Sequence, residues 1–255
     1  MDVIQVITVL IVFLFSAYYK GLSGVGFSTV SLGILAIFYP VVQIIPLLIV
    51  PSLISNIFVL LKTRPLWSAI QRHWLLYFSS LPGVYFGVRW LYLSNGSNIS
   101  FYANVILGLS LISYSIWAWL KPYFRFPIKG RAFIGAQFLV GGSTGIIYGL
   151  TGAQTFPIIP YFMSLPYVKN QIVCCTNLSF TLSTLFMLIQ LEHASILTVQ
   201  SISVSLLGII PLYVGIQLAT KHREKISEDR YRKLLLGVIF ILGVIQLGVR
   251  ISFLL

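Results

Sequence analysis

One short motif occurs twice in the sequence, and its residue types suit contact with a small anion. The motif GLSG at residues 21–24 returns as GLTG at 149–152, which is 128 positions later in a chain of 255 residues. Glycine lets backbone N–H groups approach an oxyanion closely, and the serine or threonine adds a hydroxyl donor. Each motif lies in apolar sequence, where an anion needs such donors and a positive potential. The sequence therefore predicts that the two motifs contribute to one anion site.

Lys20 immediately precedes the first motif and is the sharpest candidate for a cationic ligand. If the chain turns inside the membrane here, the ammonium lies near the anion; if the helix crosses fully, Lys20 marks its end and extends to the interface. Arg89 has the same two interpretations, and contact with lipid headgroups is favoured for it. The candidate substrate-binding residues are Lys20, Gly21, Ser23, Gly24, Gly26, Asn56, Arg89, Gly149, Thr151, Gly152, Gln154 and Asn177.

Close helix packing is the alternative role of the glycines, because Gly24 and Ser28 match the small-xxx-small pattern of membrane helices. Packing is favoured for one motif alone, whereas the duplication at a helix break favours binding. Asn56 and Asn177 are amides within apolar sequence, where buried amides need partners and often line a site. Their spacings from the two motifs differ by seven residues, so the sequence gives no ground to treat them as equivalent.

The titratable residues give little support to proton coupling through a carboxylate. The acids are Asp2, Glu192, Glu224, Glu228 and Asp229. None of them lies within an apolar segment, so a proton would instead travel on a weakly acidic substrate. His73, His193 and His222 lie at segment edges, where a solvated histidine is expected.

Other chemistry is hard to find in the sequence. HExxH motifs, paired membrane acids and Cys/His clusters are absent, so we expect no enzyme activity, no metal and no cofactor. The neighbours Cys174 and Cys175 are expected to be small packing residues rather than a disulfide or metal ligands. Contact of one thiol with a sulfur-containing substrate is the alternative.

Composition assigns the chain to the lipid bilayer. It is 58% hydrophobic and 9% charged, with a mean hydropathy of +0.95, which is too apolar for a soluble domain. The apolar runs are continuous and do not alternate, so they indicate helices rather than barrel strands. The net charge of +12 resides in short loops between the runs, so we expect no nucleic-acid partner.

The apolar runs divide into ten segments, five in each half. They span residues 3–19, 22–39, 41–61, 74–93, 101–120, 132–148, 150–166, 170–191, 195–219 and 231–251. We therefore divide the chain into a first membrane repeat at 1–125 and a second at 126–255. Segments 22–39 and 150–166 are short and rich in Gly, Ser, Thr and Pro, so each is either a full crossing or one arm of a membrane hairpin. We expect each motif to open one of these two segments.

Loop charges give the orientation of the segments. The loops at 62–73, 121–131 and 221–233 are basic, whereas those at 94–100 and 192–194 carry no Lys or Arg. Ten segments with both termini outside place every basic loop in the cytoplasm. Equivalent loops of the two halves then differ in charge, so the repeats must be inverted. We expect an all-α polytopic protein of the inner (plasma) membrane, with two inverted repeats whose helix breaks face each other near the midplane.

Several longer runs resemble one family of membrane proteins. They are KGLSGVGF at 20–27, PSLISN at 51–56, LPGVYFGVRWL at 81–91, GLTGAQTFPIIP at 149–160, CTNLSF at 175–180 and IPLYVGIQLA at 210–219. Their order and duplication resemble the TauE/SafE sulfite exporter family, which is also called the toluene sulfonate uptake permease family. The second half departs from the first in having Tyr148 where the first has Lys20, so the halves need not contribute equally to a site.

The resemblance implies a secondary transporter of a small anion such as sulfite or an organosulfonate, in either direction. The expected site lies between the glycine-rich breaks of the two repeats. A passive anion channel and a transporter of small carboxylates are the alternatives, and a homodimer is possible.

Overall fold

The structure is a computed structural model that describes residues 2–24, 26–63, 67–93, 99–120, 130–223 and 228–251. In the last helix, side chains are described for residues 236–248. These parts of the chain form helices and short connections, and no strand is found among them.

Most helices follow the predicted segments. The helices are α1 (Val3–Ser23), α2 (Phe27–Phe38), α3 (Val41–Thr63), α4 (Trp67–Arg72), α5 (Trp74–Leu93), α6 (Ile99–Leu120), α7 (Arg131–Thr151), α8 (Ile158–Met163), α9 (Lys169–His193), α10 (Val199–Leu207), α11 (Ile209–Arg223) and α12 (Glu228–Ile251). The predicted segment 150–166 contains only the six-residue helix α8 after the end of α7. The predicted segment 195–219 is divided into α10 and α11 at Gly208, and α4 was not predicted. Six helical stretches of the described chain are long and apolar enough to cross a bilayer. The protein is therefore an all-α, multi-pass membrane protein.

Each glycine motif closes a helix, and the expectation that it opens one was wrong. Gly24 follows the last residue of α1 with a left-handed φ of 84°, and its N–H donates to the Lys20 carbonyl at 2.7 Å. Gly152 follows α7 with φ 72°, and its N–H donates to the Tyr148 carbonyl at 2.7 Å. A left-handed glycine with this hydrogen bond is a common way to end a helix, because other residues are strained there.

The two elements that follow the motifs are short. Helix α2 begins after Gly26, which has φ 95°, and its 12 residues rise about 18 Å. In the second half, residues 153–157 are not helical and α8 has only six residues. Neither helix alone spans a hydrocarbon core of about 30 Å, so both favour the hairpin interpretation. Residues 152–155 are buried, as non-helical backbone at membrane depth must be.

The two halves of the chain pack through each other. Helix α1 lies against α11, α5 against α7, α3 against α9, and α6 against α12. Two of these pairings bring a motif glycine very close to the partner helix. A Cβ on Gly21 would meet the Ala219 Cβ at 2.5 Å, and a Cβ on Gly149 would meet the Val84 carbonyl oxygen at 2.6 Å and the Gly87 Cα at 2.8 Å. Gly21 and Gly149 therefore serve helix packing, as the alternative interpretation predicted.

Proline in α3 frees backbone groups that other helices satisfy. Pro46 has no N–H, so the Val42 carbonyl lacks its helical donor. The Tyr92 hydroxyl of α5 donates to this carbonyl at 2.9 Å. The Val50 N–H donates to the Ser205 Oγ of α10 at 3.3 Å. These contacts fix α3, which supplies residues to the site described below.

We expect Gly149→Ala to destabilise the protein by about 1–3 kcal/mol, because the new methyl group meets backbone atoms of α5 that cannot move aside. Gly135→Ala in the same helix is the matched control, since a Cβ there has nothing within 4 Å. Thermal unfolding of both variants in detergent checks this. Equal melting temperatures for the two variants would contradict the close packing of α5 and α7.

Candidate functional site

Lys20 lies in the last turn of α1 and points into the bundle. Its side chain is only 2% exposed. The Nζ atom donates to the Ser55 Oγ of α3 at 3.0 Å and to the Asn56 Oδ1 of the same helix. Asn56 precedes the end of α3 by seven residues, or about 10 Å along the helix. Lys20 is therefore inside the protein, and the interpretation as an interfacial anchor does not fit.

The described partners of Lys20 are neutral. The Ser55 hydroxyl donates a hydrogen bond to the Ser52 carbonyl at 2.7 Å, and Asn56 accepts from Lys20 through its amide oxygen. No ion pair with a carboxylate is present in the described contacts of Lys20. A buried charge without a counter-charge is costly, so a charged Lys20 is not balanced by its described partners.

The same contact recurs in the second half with other side chains. The Tyr148 hydroxyl lies 2.9 Å from the Thr184 Oγ1, and these residues follow Lys20 and Asn56 by 128 positions each. The Gln154 Nε2 donates to the same Thr184 oxygen at 3.4 Å, while its Oε1 is buried with no hydrogen-bond partner. The counterpart of Asn56 is thus Thr184, and the constant offset applied to Asn56 would have found it in the sequence.

Asn177 lies at the first helix break. Its Nδ2 donates to the Gly24 carbonyl at 3.1 Å and to the Val173 carbonyl of its own helix at 2.8 Å. Its Oδ1 is buried with no hydrogen-bond partner. A Cβ on Gly24 would lie 3.3 Å from the Val173 side chain, and one on Gly152 would lie 3.1 Å from Ile45. Val173 follows Ile45 by 128 positions, so each break rests on the matching helix of the other half.

The motif hydroxyls are turned toward their own helices. The Ser23 Oγ donates to the Tyr19 carbonyl at 3.0 Å, and the Thr151 Oγ1 donates to the Ile147 carbonyl at 2.7 Å. Thr151 also accepts from the Ala153 N–H at 3.1 Å. In this conformation the threonine caps the end of α7.

Lys20 and the second break contact α3 at different levels. Gly152 packs on Ile45, whereas Lys20 contacts Asn56, which is eleven residues or about 16 Å further along the helix. The expectation that the two breaks form one shared site stays a prediction. Between these levels is a cavity of about 10 Å³, which has room for one water molecule. Its polar lining consists of Ser28, Ser52 and Tyr148.

Arg89 lies away from these residues. It is exposed on α5, and its Nη1 donates to the Tyr85 hydroxyl one turn earlier at 2.9 Å. The guanidinium carbon is 5.9 Å from the centre of the same ring. This position fits the favoured interpretation that Arg89 extends to the lipid interface.

His73 forms a buried cluster that the sequence did not reveal. The expectation of a solvated histidine was wrong here, because its side chain has no exposed area. Its Nε2 lies 2.9 Å from the Tyr167 hydroxyl, and its Nδ1 lies 3.2 Å from the Tyr161 hydroxyl. The cluster ties α8 and the following turn to the start of α5. Burial lowers the pKa of His73 below its ordinary value, and the neighbouring Arg72 guanidinium lowers it further.

Stability should fall in acid because of His73. The folded protein keeps this imidazole neutral, whereas the unfolded chain takes up a proton below the ordinary histidine pKa of about 6.5. The stability that His73 contributes is therefore complete above that pH and is lost progressively below it. We expect the melting temperature of the wild type to fall by about 2–4 °C more than that of His73→Gln between pH 7 and pH 5.5. The exposed His193→Gln is the control, and a wild-type pH slope in His73→Gln would contradict the assignment.

Comparison with known proteins identifies a family. The sequence profile described as sulfite exporter TauE/SafE matches residues 9–245, which is nearly the whole chain. No curated protein and no solved structure matches this sequence. The profile covers both glycine motifs, both short helices α2 and α8, and Lys20 with its partners on α3. The protein belongs to the TauE/SafE sulfite exporter family.

Proposed function

We propose that this protein is a secondary transporter that moves a small sulfur oxyanion, sulfite or an organosulfonate, across the membrane. Membership of a sulfite exporter family supports the transport of a sulfur anion in general. The observation that carries the more specific proposal is the buried Lys20 amino group, whose described partners are all neutral. An oxyanion at this position supplies the missing counter-charge and accepts a strong, charge-assisted hydrogen bond.

The surroundings of Lys20 suit an oxyanion in other ways. Helix α2 begins at Phe27 directly after the first break, so its unpaired N–H groups and positive end lie nearby. Asn177 holds the same break in place, because its Nδ2 donates to the Gly24 carbonyl. A single lysine whose described partners are neutral binds an anion without holding it so tightly that release becomes slow.

Contacts that recur at a spacing of 128 support two inverted repeats. Lys20 with Asn56 matches Tyr148 with Thr184, as described above. Gly24 of the first half packs on Val173 of the second half, and Gly152 of the second half packs on Ile45 of the first. A pseudo-two-fold axis in the membrane plane requires such a reciprocal pair of contacts. With both termini outside, as the loop charges predict, the two breaks open toward opposite faces. A homodimer stays a prediction from the resemblance.

The anion path then runs along α3 and α9 between the two breaks. Lys20, Asn56 and Asn177 lie at one end of this path, and Gln154 with Gly152 lies at the other. The described cavity between them has a volume of about 10 Å³ in this conformation. A cavity of this size favours a carrier that alternates its access over a channel that stays open.

Lys20→Ala should abolish stabilisation by anions. We expect sulfite or an organosulfonate to raise the melting temperature of the purified wild type, because a ligand that binds only the folded state stabilises it. The panel includes sulfate, thiosulfate and small carboxylates, which separates the carboxylate alternative. Lys62→Ala is the matched control, since Lys62 is an exposed lysine of α3 and should leave the shift unchanged. An undiminished shift in Lys20→Ala would place the anion elsewhere.

Asn56→Asp should block the site from within. The new carboxylate lies beside the Lys20 ammonium and replaces the anion as its partner. We expect loss of sulfite uptake by proteoliposomes together with an unchanged or higher melting temperature. Asn56→Thr is the matched control, because the second half has Thr184 at this position, and it should keep uptake within a few-fold of the wild type. Equal uptake by Asn56→Asp and the wild type would rule out this location for the anion.

A further inference from the structure

The hydrogen bonds of Lys20 match those of a neutral amine. Its Nζ has two described acceptors, Ser55 Oγ and Asn56 Oδ1. The Ser55 hydroxyl hydrogen is committed to the Ser52 carbonyl, so the Ser55 oxygen is free to accept. A neutral amine has two N–H donors, and these two acceptors use both. An ammonium has a third N–H, which has no described acceptor in the protein.

The second half shows that this contact does not need a charge. Tyr148 and Thr184 occupy the equivalent positions on α7 and α9, and both are neutral hydroxyl groups 2.9 Å apart. Tyr148 is as buried as Lys20, with 2% of its side chain exposed. The same helix geometry therefore accommodates a neutral donor and a neutral acceptor, which is what a deprotonated Lys20 and Asn56 provide.

The neighbouring helices do not supply Lys20 with a negative charge. Helix α3 contributes the neutral side chains of Ser55 and Asn56, and its Lys62 is exposed further along the helix. Helix α9 contributes the neutral Asn177 at the adjoining break, and the His222 side chain of α11 is hydrogen-bonded to Tyr18.

The described acids are remote from Lys20. Asp2 precedes Lys20 by 18 residues, or about 27 Å along α1. Glu192 lies 15 residues beyond Asn177, or about 22 Å along α9. Among the described side chains, no acid is positioned to act as a permanent counter-ion.

We propose that Lys20 takes up a proton together with the anion, and that the protein carries the two as a neutral pair. An anion without the proton would meet a neutral amine, and a proton without the anion would leave a buried charge unpaired. The amine lone pair forms one N–H bond with the incoming proton, and the reverse step on the other side of the membrane releases proton and anion together. Transport of a monovalent anion is then electroneutral, with one proton for each anion. The inference rests on the proposed function, because it requires the anion to bind at Lys20.

Proton uptake on binding tests the pairing directly. Methanesulfonate and sulfite are added in parallel to the purified protein in weak buffer with a pH indicator, and binding is followed by thermal shift. Methanesulfonate retains no proton of its own near neutral pH. We expect the wild type and Lys62→Arg to take up about one proton per bound anion, and Lys20→Arg, which stays charged, to bind without this uptake. Binding by the wild type with no more uptake than Lys20→Arg would overturn the inference and leave the proposed function standing. If neither anion binds the wild type, the proposed function fails as well.

Flux measurements give a second test that does not depend on the arginine variant. Wild-type proteoliposomes receive either a pH gradient or a potassium diffusion potential, with labelled methanesulfonate or sulfite. A gradient of one pH unit should drive accumulation of methanesulfonate up to about tenfold, since each proton contributes a factor of ten per unit. The potential alone should drive none. Accumulation that follows the potential and ignores the pH gradient would overturn electroneutral coupling.

Discussion

The structure depends on one constraint, which is that a helix ending inside a membrane protein must find partners for its freed backbone groups. Glycine satisfies it at both breaks by taking a left-handed conformation that returns its N–H to the preceding turn. Asn177 then donates to the Gly24 carbonyl, and Thr151 accepts from the backbone after α7. Once these groups are satisfied, α1 and α7 can stop within the bundle. The residue four positions before each glycine then faces the interior rather than a loop.

That interior position is where the two halves differ. The backbone geometry is the same, with the same spacing from break to partner helix, yet one half places a lysine and an amide there while the other places a tyrosine and a threonine. One site is therefore able to hold a charge and the other is not. Because the second set of side chains preserves the contact without a charge, the lysine is not required for packing. Its presence at a buried position is the basis of the proposed anion site.

Sequence reasoning located most of the helices because hydrophobic runs are a property of the chain itself. It placed Lys20 and Asn56 among the candidates for the same reason. It failed at the glycine motifs, because glycine suits both the start and the end of a helix, and only the backbone hydrogen bonds of Gly24 and Gly152 distinguish these cases. It also missed Thr184, because the counterpart of an amide was sought among amides. The burial of His73 depends on the packing of α8, which no local pattern predicts.

Lys20 and the second glycine break contact α3 at widely separated levels, which limits what one bound anion can reach. Lys20 contacts α3 near one end, and Gly152 contacts it about 16 Å away near the other, with a cavity the size of one water molecule between them. An anion at Lys20 therefore cannot touch the second break at the same time. In the proposed transport cycle, transfer between the two levels requires α3 and α9 to separate from the breaks in turn. Gly24 packs on α9 and Gly152 packs on α3, so the two contacts are separate. In that cycle, one of them can separate while the other remains in place.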